Sequence, residues 1–343
     1  MARPSSNPPL RVLAVTNMYP GPDDPTYGNF VATQMQSIAE TGAKVRVEFI
    51  DGRRSTWAYG KAIFRIRRLA RSGQFDLVHG HYGLSGFVAA FQPLPLVVSF
   101  CGDDLLGTPN GRGGITLKSR IARRLSYFAA RRADAIICKS EAMRRRLPRP
   151  ADVARARVIP NGVDTTRFSP GDRLEAREQL GLDAAEHLVL FPHTSAERRK
   201  RLDVAQAAVE RLQQRGTRAR LLIVEGEPPE RMPHYYRAAD CLLLTSDWEG
   251  SPNVVKEALC CDLPVVSVDV GDVRQWLDQV SGSRVVAREP DSIAAALSDL
   301  IVDGSRVDGT PVRAALGLPR IAERVMDAYQ EALARRRGTQ AST

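Results

Sequence analysis

Short apolar runs alternate with amphipathic stretches along the first half of the chain, and this pattern predicts strands and helices in turn. The apolar runs predict strands at residues 10–16, 44–50, 76–79, 96–100, 135–138 and 157–159. Between them the apolar residues follow helical spacing, as from Phe30 to Glu40, where Gly42 is placed to end the helix. Strands that alternate with helices form parallel sheets of βαβ units. The first half is therefore predicted to be a parallel α/β domain.

The same pattern restarts in the second half. Apolar runs predict strands at 188–191, 221–224, 241–244, 263–267 and 284–286, with a helix at 203–215. The turn-forming dipeptides Asn161-Gly162 and Pro170-Gly171 mark a break between the two series. We predict an N-terminal domain at 1–165, a C-terminal domain at 166–318 and a final segment at 319–343. A helix at 319–335 in that segment is expected to pack back on the first domain.

Ligands of parallel α/β sheets lie at the carboxyl ends of the strands, so two such domains predict a site in a cleft between them.

The chain has 343 residues, of which 43% are hydrophobic, as in a globular protein. The longest apolar segment, from Phe87 to Phe100, is interrupted by Pro93 and Pro95 and is too short to span a bilayer. Residues 1–11 lack the apolar core of a signal peptide, so a cytoplasmic protein is expected.

The net charge of +10 is concentrated in two segments. Lys61–Arg71 has five basic residues and no acidic one, and Lys118–Arg149 has eleven basic residues against Asp134 and Glu141. Such segments attract nucleic acid, anionic lipid or phosphorylated substrates, or are simply solvated helix faces. A nucleic-acid module would interleave aromatic residues, and the second segment has only Tyr127 and Phe128. We therefore expect an anionic membrane surface, and no nucleic acid, as the partner of both segments.

Helical spacing in the second basic segment predicts which side chains face inward. Phe128 is spaced with Ile121 and Leu125, so these three are expected to face the core. The opposite stripe would then carry Arg120, Arg124 and Arg131.

The segment from Ser246 to Leu259 is the most informative part of the chain. It places Glu249 and Glu257 on either side of a predicted helix start, with Ser251 as the N-cap and Pro252 as the first helical residue. Free N–H groups at a helix start suit a phosphate, and ionised carboxylates accept hydrogen bonds from sugar hydroxyls. Phosphate beside sugar indicates a nucleotide sugar.

This segment resembles the retaining glycosyltransferases of family 4, which have the GT-B fold. Their pattern is matched by Glu249-Gly250, Glu257-Ala258 and the following Pro264-Val265-Val266. Further similar segments lie at 28–30, 79–81, 100–104, 160–164 and 199–203, so that the resemblance covers residues 10 to about 280. It implies an α/β protein with two Rossmann-like parallel-sheet domains facing across a cleft.

The resemblance also implies roles for single residues. On the donor side, Glu249 would hold hydroxyls of the donor sugar, Glu257 the nucleotide ribose, and Lys200 the departing diphosphate. His81 would contact the donor sugar near the reacting carbon, and Asp103 would orient the acceptor hydroxyl. The remaining candidates for donor binding are Gly28, where the lack of a Cβ would let the backbone approach the phosphates, Arg199, Gly250, Ser251, Pro252, Asn253 and Val254.

The chain departs from the family pattern at three places. Thr194-Ser195 stands where the family has Gly-Arg, whose arginine shares the diphosphate, so that Arg198 or Arg199 would have to substitute. The segment 271–275 replaces a Gly-Gly-x-Pro-Glu motif, and Cys101 replaces the acceptor-side histidine. The donor base therefore cannot be read from the motif.

The resemblance implies a retaining glycosyltransferase that moves a sugar from a nucleotide-diphosphate sugar to a lipid-linked saccharide acceptor in bacterial cell-surface polysaccharide synthesis. The absence of Asp-x-Asp indicates a metal-independent enzyme, and no cofactor is expected. An epimerase of the same fold and a non-catalytic basic nucleic-acid- or membrane-binding protein remain alternatives. A dehydrogenase or P-loop enzyme is disfavoured, because G-x-G-x-x-G does not follow the first strand and G-x-x-x-x-G-K-[ST] is missing.

Overall fold

The computed structural model describes residues 8–22, 24, 26–110, 114–193 and 196–341. The chain forms two compact units, one of Met1–Asn161 with Pro319–Thr343 and one of Gly162–Leu318. The division that we predicted after residue 165 thus lies just inside the second unit.

The first unit is built on a six-stranded parallel sheet in the order β2-β1-β3-β4-β5-β6. Its strands are β1 Arg11–Thr16, β2 Lys44–Phe49, β3 Leu77–His81, β4 Leu96–Phe100, β5 Ala135–Cys138 and β6 Ala156–Val158. The connecting helices are α1 Asn29–Glu40, α2 Trp57–Ala70, α3 Gly83–Ala89, α4 Asp103–Leu106, α5 Leu117–Arg132, α6 Glu141–Arg144 and α7 Pro150–Ala154. Strand β3 extends beyond the predicted 76–79, and His81 is its last residue.

The second unit has a five-stranded parallel sheet in the order β11-β10-β9-β7-β8. Its strands are β7 His187–Phe191, β8 Ala219–Ile223, β9 Cys241–Leu244, β10 Val265–Val268 and β11 Arg284–Val286. Its helices are α8 Arg173–Leu180, α9 Leu202–Gln214, α10 Met232–Ala238, α11 Asn253–Cys260, α12 Val273–Leu277, α13 Pro290–Asp303 and α14 Thr310–Leu316, with a 3-10 turn at Arg198–Lys200.

Helices α2, α3 and α5 share one core on the same face of the first sheet, and small residues set how closely they pack. A Cβ on Gly83 would lie 1.8 Å from Ser126 Oγ, and one on Gly86 would lie 3.3 Å from Ala129 Cβ. Backbones that approach this closely leave no room for large side chains between α3 and α5.

This packing overturns our prediction for α5. Its buried residues are Ser119, Ser126, Ala129 and Ala130, whereas Leu125 is only half-buried. Ile121 and Phe128, which we expected to face the core, are 53% and 37% exposed. Ile121 and Phe128 therefore point outward together with exposed Arg124.

The last helix, α15 Leu318–Ala341, packs on the first unit. The Tyr329 hydroxyl lies 2.7 Å from His79 Nδ1, and Nε2 of the same buried ring lies 2.8 Å from Ser99 Oγ. At the edge strand, Arg157 Nε donates to Glu331 at 2.8 Å. Sequence-distant α15 thus completes the core of the first unit.

The chain passes from the first unit to the second after Asn161 and returns after Leu318. Within the second unit, the residues next to these two points are hydrogen-bonded to each other. Val163 N donates to Leu316 O at 2.8 Å, and Leu318 N donates to Val163 O at 3.1 Å.

None of the helices in the described part of the chain combines the length and the apolar character needed to cross a membrane.

Candidate functional site

The loop between β9 and α11 carries Glu249 and brings it to the 3-10 turn after β7. Lys200 Nζ lies 2.7 Å from Glu249 Oε1, and Arg199 Nη1 lies 3.1 Å from the same oxygen. The Ser246 hydroxyl donates to that oxygen at 2.9 Å. Trp248 lies beneath the Arg199 guanidinium, whose carbon is 5.0 Å from the ring centroid. Three predicted donor-side residues therefore meet at one point of the second unit.

Burial and charge act against each other in this group. Burial alone would raise the pKa of the Glu249 carboxyl, but the cations of Lys200 and Arg199 outweigh it and the pKa is lowered. Burial also lowers the pKa of the Lys200 amine, against the opposing effect of Glu249. An ionised carboxylate and an ammonium group thus hold each other in a largely water-excluded position.

The loop is anchored by backbone contacts that its sequence motif does not reveal. Arg288 Nη2 donates to Ser246 O at 2.8 Å, and Arg288 Nε donates to Thr245 O at 3.2 Å. The Thr245 hydroxyl in turn donates to Lys200 O at 2.8 Å. Arg288 supports this loop and is a residue that we did not identify from the sequence, because it lies 42 residues after Ser246, outside the motif, where it gives no local signal.

The start of α11 differs by one residue from our prediction. Pro252 occupies the N-cap position and Asn253 is the first helical residue, with no side-chain capping bond. Ser251, which we expected to be the cap, donates its hydroxyl to Asp272 Oδ2 at 2.7 Å instead. The first-turn N–H groups, Val254 among them, have no partner inside the helix and give it an anion-binding end.

A buried ion pair lies behind this helix start. Lys256 on α11 is fully buried, its Nζ is 3.4 Å from Asp272 Oδ2, and it also donates to the Ser251 hydroxyl. Trp276 Nε1 donates to the same Asp272 oxygen at 2.9 Å. Gly271 adopts a φ of +61°, and a Cβ there would lie 3.2 Å from the Glu249 carbonyl oxygen. The segment that replaces the family motif at 271–275 is therefore fastened to the Glu249–Ser251 loop.

Glu257, on α11, faces helix α10. The Tyr236 hydroxyl donates to Glu257 Oε2 at 2.8 Å. Burial raises the pKa of the Glu257 carboxyl, opposed by that hydrogen bond and by the charges of Arg167 and Lys256. Arg167 Nε is buried and has no hydrogen-bond partner among the described residues. A ligand with hydroxyl groups would find both a carboxylate and a guanidinium here.

In the first unit, His81 ends β3 and is fully buried. Neither of its ring nitrogens has a hydrogen-bond partner in the part of the chain that the structure describes. Its ring centroid lies 3.9 Å from that of His79. Burial, followed by the neighbouring His79 and Lys139, holds the pKa of His81 well below its usual value, so the ring is neutral. A neutral imidazole with two unused nitrogens can still donate to or accept from a ligand.

The residues after β3 and β4 form a second group. Tyr82 has a φ of +75°, a strained value for a residue with a side chain, and its hydroxyl lies 3.4 Å from Asp103 Oδ1. Asp103 is the half-buried first residue of α4. The adjacent Asp104 is buried and accepts from the backbone N–H groups of Gly83, Cys101 and Gly102, and burial raises its pKa to about 6. Asp104 therefore holds two loops together, a role that we missed beside Asp103.

Gly28 lies at the start of α1 with a φ of +72°. A Cβ there would lie 2.3 Å from the carbonyl carbon of Met18. Glycine is thus required at this position by the nearby backbone of Met18, whether or not a ligand approaches it.

Thr194 and Ser195, the departure from the diphosphate motif, lie outside the described residues. Among the residues that the structure does describe, His, Cys, Asp and Glu side chains form no group that could hold a metal ion.

Two family models match the chain in sequence. The model of Glycosyltransferase Family 4 matches residues 10–167, and the model of group 1 glycosyl transferases matches residues 207–303. A D-inositol 3-phosphate glycosyltransferase from Nocardiopsis dassonvillei is 30% identical over 308 residues, which cover 76% of this chain and 72% of that protein. The chain belongs to glycosyltransferase family 4.

A second sequence relative agrees with membership in family 4, and two solved structures share the fold. The enzyme of the same name from Acidothermus cellulolyticus is 29% identical over 82% of this chain and 72% of its own length. Sucrose-phosphate synthase from Thermosynechococcus elongatus superposes with a TM-score of 0.76 at 19% identity, covering 94% of this chain and 99% of that one. Anabaena HepE in complex with UDP and glucose gives a TM-score of 0.68 at 16% identity, with the same coverage.

These findings confirm the predicted GT-B fold, with two parallel-sheet α/β domains, and a glycosyltransferase activity. Within this family 4 protein, the structure gathers Lys200, Arg199 and Glu249 in the second unit. It places the remaining candidates of that unit on α11 or in the loop before it. His81, Asp103 and Gly28 lie in the first unit. The single roles of these residues stay predictions.

Proposed function

We propose that this glycosyltransferase is a retaining, metal-independent enzyme that uses a nucleotide-diphosphate sugar as its donor. The observation that carries the proposal is the Lys200–Glu249 pair, 2.7 Å apart, in the same unit as the uncapped start of α11. A helix N-terminus suits a diphosphate, and a fixed cation stabilises the charge that develops on it as it leaves. The HepE structures that contain UDP or UDP-glucose support a nucleotide-sugar donor for this fold.

In the proposed reaction the bond between the anomeric carbon and the diphosphate oxygen breaks, and its electron pair stays with the diphosphate. The acceptor oxygen bonds to the anomeric carbon, and its proton passes to the departing phosphate. Lys200, with Arg199, neutralises the diphosphate, and Glu249 accepts hydrogen bonds from donor hydroxyls. Glu257 would hold the ribose, while His81 would contact the donor sugar and Asp103 would orient the acceptor hydroxyl.

We further propose a lipid-linked saccharide as the acceptor and a role in bacterial cell-surface polysaccharide synthesis, at the inner face of the cell membrane. Support comes from the basic segments Lys61–Arg71 and Lys118–Arg149, which suit an anionic lipid surface. An epimerase of the same fold remains the second candidate. Release of nucleoside diphosphate that depends on an added acceptor distinguishes a transferase from an epimerase.

A thermal-shift screen against UDP, GDP and ADP, followed by their sugar conjugates, tests the donor assignment. We expect one nucleotide series to raise the melting temperature, and Glu257→Ala to abolish that rise because the ribose loses its carboxylate. Glu210→Ala, on the exposed face of α9, is the matched control and should keep the rise. A nucleotide-induced rise that survives in Glu257→Ala would refute the ribose assignment.

A further inference from the structure

One face of the first unit collects most of the exposed large apolar side chains. Of the ten such residues in the described chain, six belong to α2, α5 or the segment between α3 and β4. They are Trp57, Phe64, Phe91, Leu117, Ile121 and Phe128. Trp57 and Phe64 are 80% and 78% exposed. A concentration of this kind marks an interaction surface, because single exposed apolar residues are normally scattered.

On both helices these apolar residues alternate with basic ones along a single stripe. Residues spaced by four and three lie on one side of a helix. On α2 and its C-cap residue the exposed stripe is Trp57, Lys61, Phe64, Arg68 and Arg71. On α5 it is Leu117, Ile121, Arg124, Phe128 and Arg131. Neither helix contains an acidic residue, so the stripes are apolar and cationic at once.

A cleft of about 440 Å³ lies between the carboxyl ends of the two helices, beside the segment that follows α3. It is lined by Arg67, Arg71, Phe91, Phe128, Arg132 and Arg336. The Phe91 and Phe128 rings stack with centroids 5.6 Å apart. The side chains of Arg67, Arg71 and Arg132 make no ion pair or hydrogen bond with any described residue, whereas Arg336 donates to Pro93 O at 3.0 Å and lies 4.0 Å from Asp134.

Several guanidinium groups around one cleft repel each other unless an anion lies between them. The forked donors of arginine match a phosphate group, and a wall of phenyl rings suits an apolar chain. A ligand with both features is a phospholipid. Nucleic acid fits less well, because Phe91 and Phe128 stack on each other instead of offering free ring faces to bases.

We propose that α2 and α5 dock the first unit on an anionic phospholipid bilayer, with a headgroup phosphate in the arginine cleft and Trp57, Phe64 and Leu117 at the acyl boundary. This inference rests on the membrane contact in the proposed function and is independent of the donor assignments. Amphipathic helices with basic and aromatic residues lie in membrane interfaces in this way. Trp57 and Leu117 are the first residues of their helices, so the docking face reaches the sheet edge where Asp103 follows β4.

Sedimentation of the full-length protein with vesicles tests the docking face. We expect binding to phosphatidylcholine vesicles that contain about a third phosphatidylglycerol, and weak binding to pure phosphatidylcholine. Arg67→Gln/Arg71→Gln/Arg132→Gln should lower the partition coefficient about a hundredfold, since each basic residue near an anionic surface contributes about a factor of five. The matched control Arg211→Gln/Arg215→Gln/Arg218→Gln, on the second unit, should change it less than about twofold.

A second pair of variants tests the apolar component. Trp57→Ser/Phe64→Ser should weaken vesicle binding at least about tenfold, because two exposed aromatic side chains would otherwise leave water. Leu174→Ser/Val302→Ser, which changes exposed apolar residues of the second unit, should leave vesicle binding unchanged. Unchanged binding of Trp57→Ser/Phe64→Ser would overturn insertion, and equal losses in the arginine variant and its control would overturn the cleft.

Phosphate binding measured beside vesicle binding identifies the source of the phosphate. If inorganic phosphate raises the melting temperature of the unmodified protein but not of the arginine variant, while vesicles bind both proteins equally, the cleft is a site for soluble phosphate and the proposal fails. Binding of a single-stranded oligonucleotide through the same arginines, without vesicle binding, would also overturn it. Nucleotide-induced thermal shifts should be unchanged in all four variants, so that failure of the donor assignment is detected separately.

Discussion

Glu249 and Glu257 belong to one short segment and lie only eight positions apart, yet their pKa values are shifted in opposite directions. The pKa of Glu249 is lowered because Lys200 and Arg199 outweigh burial, and that of Glu257 is raised because burial outweighs its partners. A lowered pKa adds stability above the ordinary carboxyl pKa, and this is lost as the pH falls through the folded-state value. A raised pKa has the reverse effect, so ionised Glu257 costs stability at neutral pH. The second carboxylate is therefore held in place at the expense of stability.

This reasoning predicts that Glu257→Gln stabilises the ligand-free protein near neutral pH. The amide keeps an acceptor for the Tyr236 hydroxyl and removes the buried charge, so we expect the melting temperature to rise by about 2 °C or more. The difference from the unmodified protein should vanish as the pH falls below the ordinary glutamate pKa, where both states bind the proton. Melting curves between acid and neutral pH measure it, and a difference that grows toward low pH would contradict the sign.

At the scale of elements, the Lys256–Asp272 pair joins α11 to the segment before α12. Both groups are buried, and Asp272 Oδ1 has no hydrogen-bond partner among the described residues. Removing one partner of a buried pair leaves an uncompensated charge, whereas replacing both with apolar residues of similar size is far less costly.

We therefore expect Lys256→Met to lower the free energy of unfolding by about 3 kcal/mol. The double variant Lys256→Met/Asp272→Leu should recover most of that loss, although Asp272→Leu also removes the acceptor of Trp276 Nε1. Urea unfolding of the single and double variants gives the coupling energy. Additive losses in the double variant would show that the two side chains act separately.

The elements also show how far the sequence could predict the structure. Alternating apolar runs were sufficient for the strand series, because a buried parallel strand needs little more than consecutive apolar residues. Ser251 was assigned wrongly as a cap because its hydroxyl is taken by Asp272, 21 residues later, and helix-cap rules consider only local partners. Ile121 and Phe128 were placed wrongly in the core because periodicity defines a stripe and not its direction. On α5 the decisive factor is the size of the facing side chains, with Gly83 against Ser126.

The residues of the candidate site also divide into those that a sequence motif marks and those that only the fold brings to the site. Glu249, Glu257 and Lys200 lie in recognisable motifs, whereas Arg288, Tyr82 and Asp104 contribute through contacts that only the fold creates. A side chain that binds backbone carbonyl or N–H groups leaves no pattern in a single sequence, because almost any donor or acceptor could fill the same place.

At the scale of the whole molecule, the first unit is discontinuous in sequence. Its core needs α15, whose Ile321, Val325 and Tyr329 are buried, and Tyr329 binds His79 on the central strand β3. The second unit, Gly162–Leu318, is continuous and has its own sheet and core. The two units therefore depend differently on the end of the chain.

Shortening the chain to residues 1–318 should unfold the first unit selectively. Limited proteolysis is expected to degrade that unit and to leave a protected fragment near residues 162–318, because only the first unit loses buried side chains. A chain that ends at Arg337 keeps Tyr329 and Glu331 and serves as the control. Equal protease resistance of the two shortened chains would contradict the dependence on α15.

The same discontinuity sets the order of events on the ribosome. Synthesis of the second unit occupies roughly ten seconds or more at ordinary elongation rates, and α15 emerges only after it. During most of that interval the residues of the six strands are outside the exit tunnel but lack α15, so the apolar side chains that α15 covers around His79 stay exposed. The nascent N-terminal half is thus a natural client for chaperones that bind exposed apolar surface.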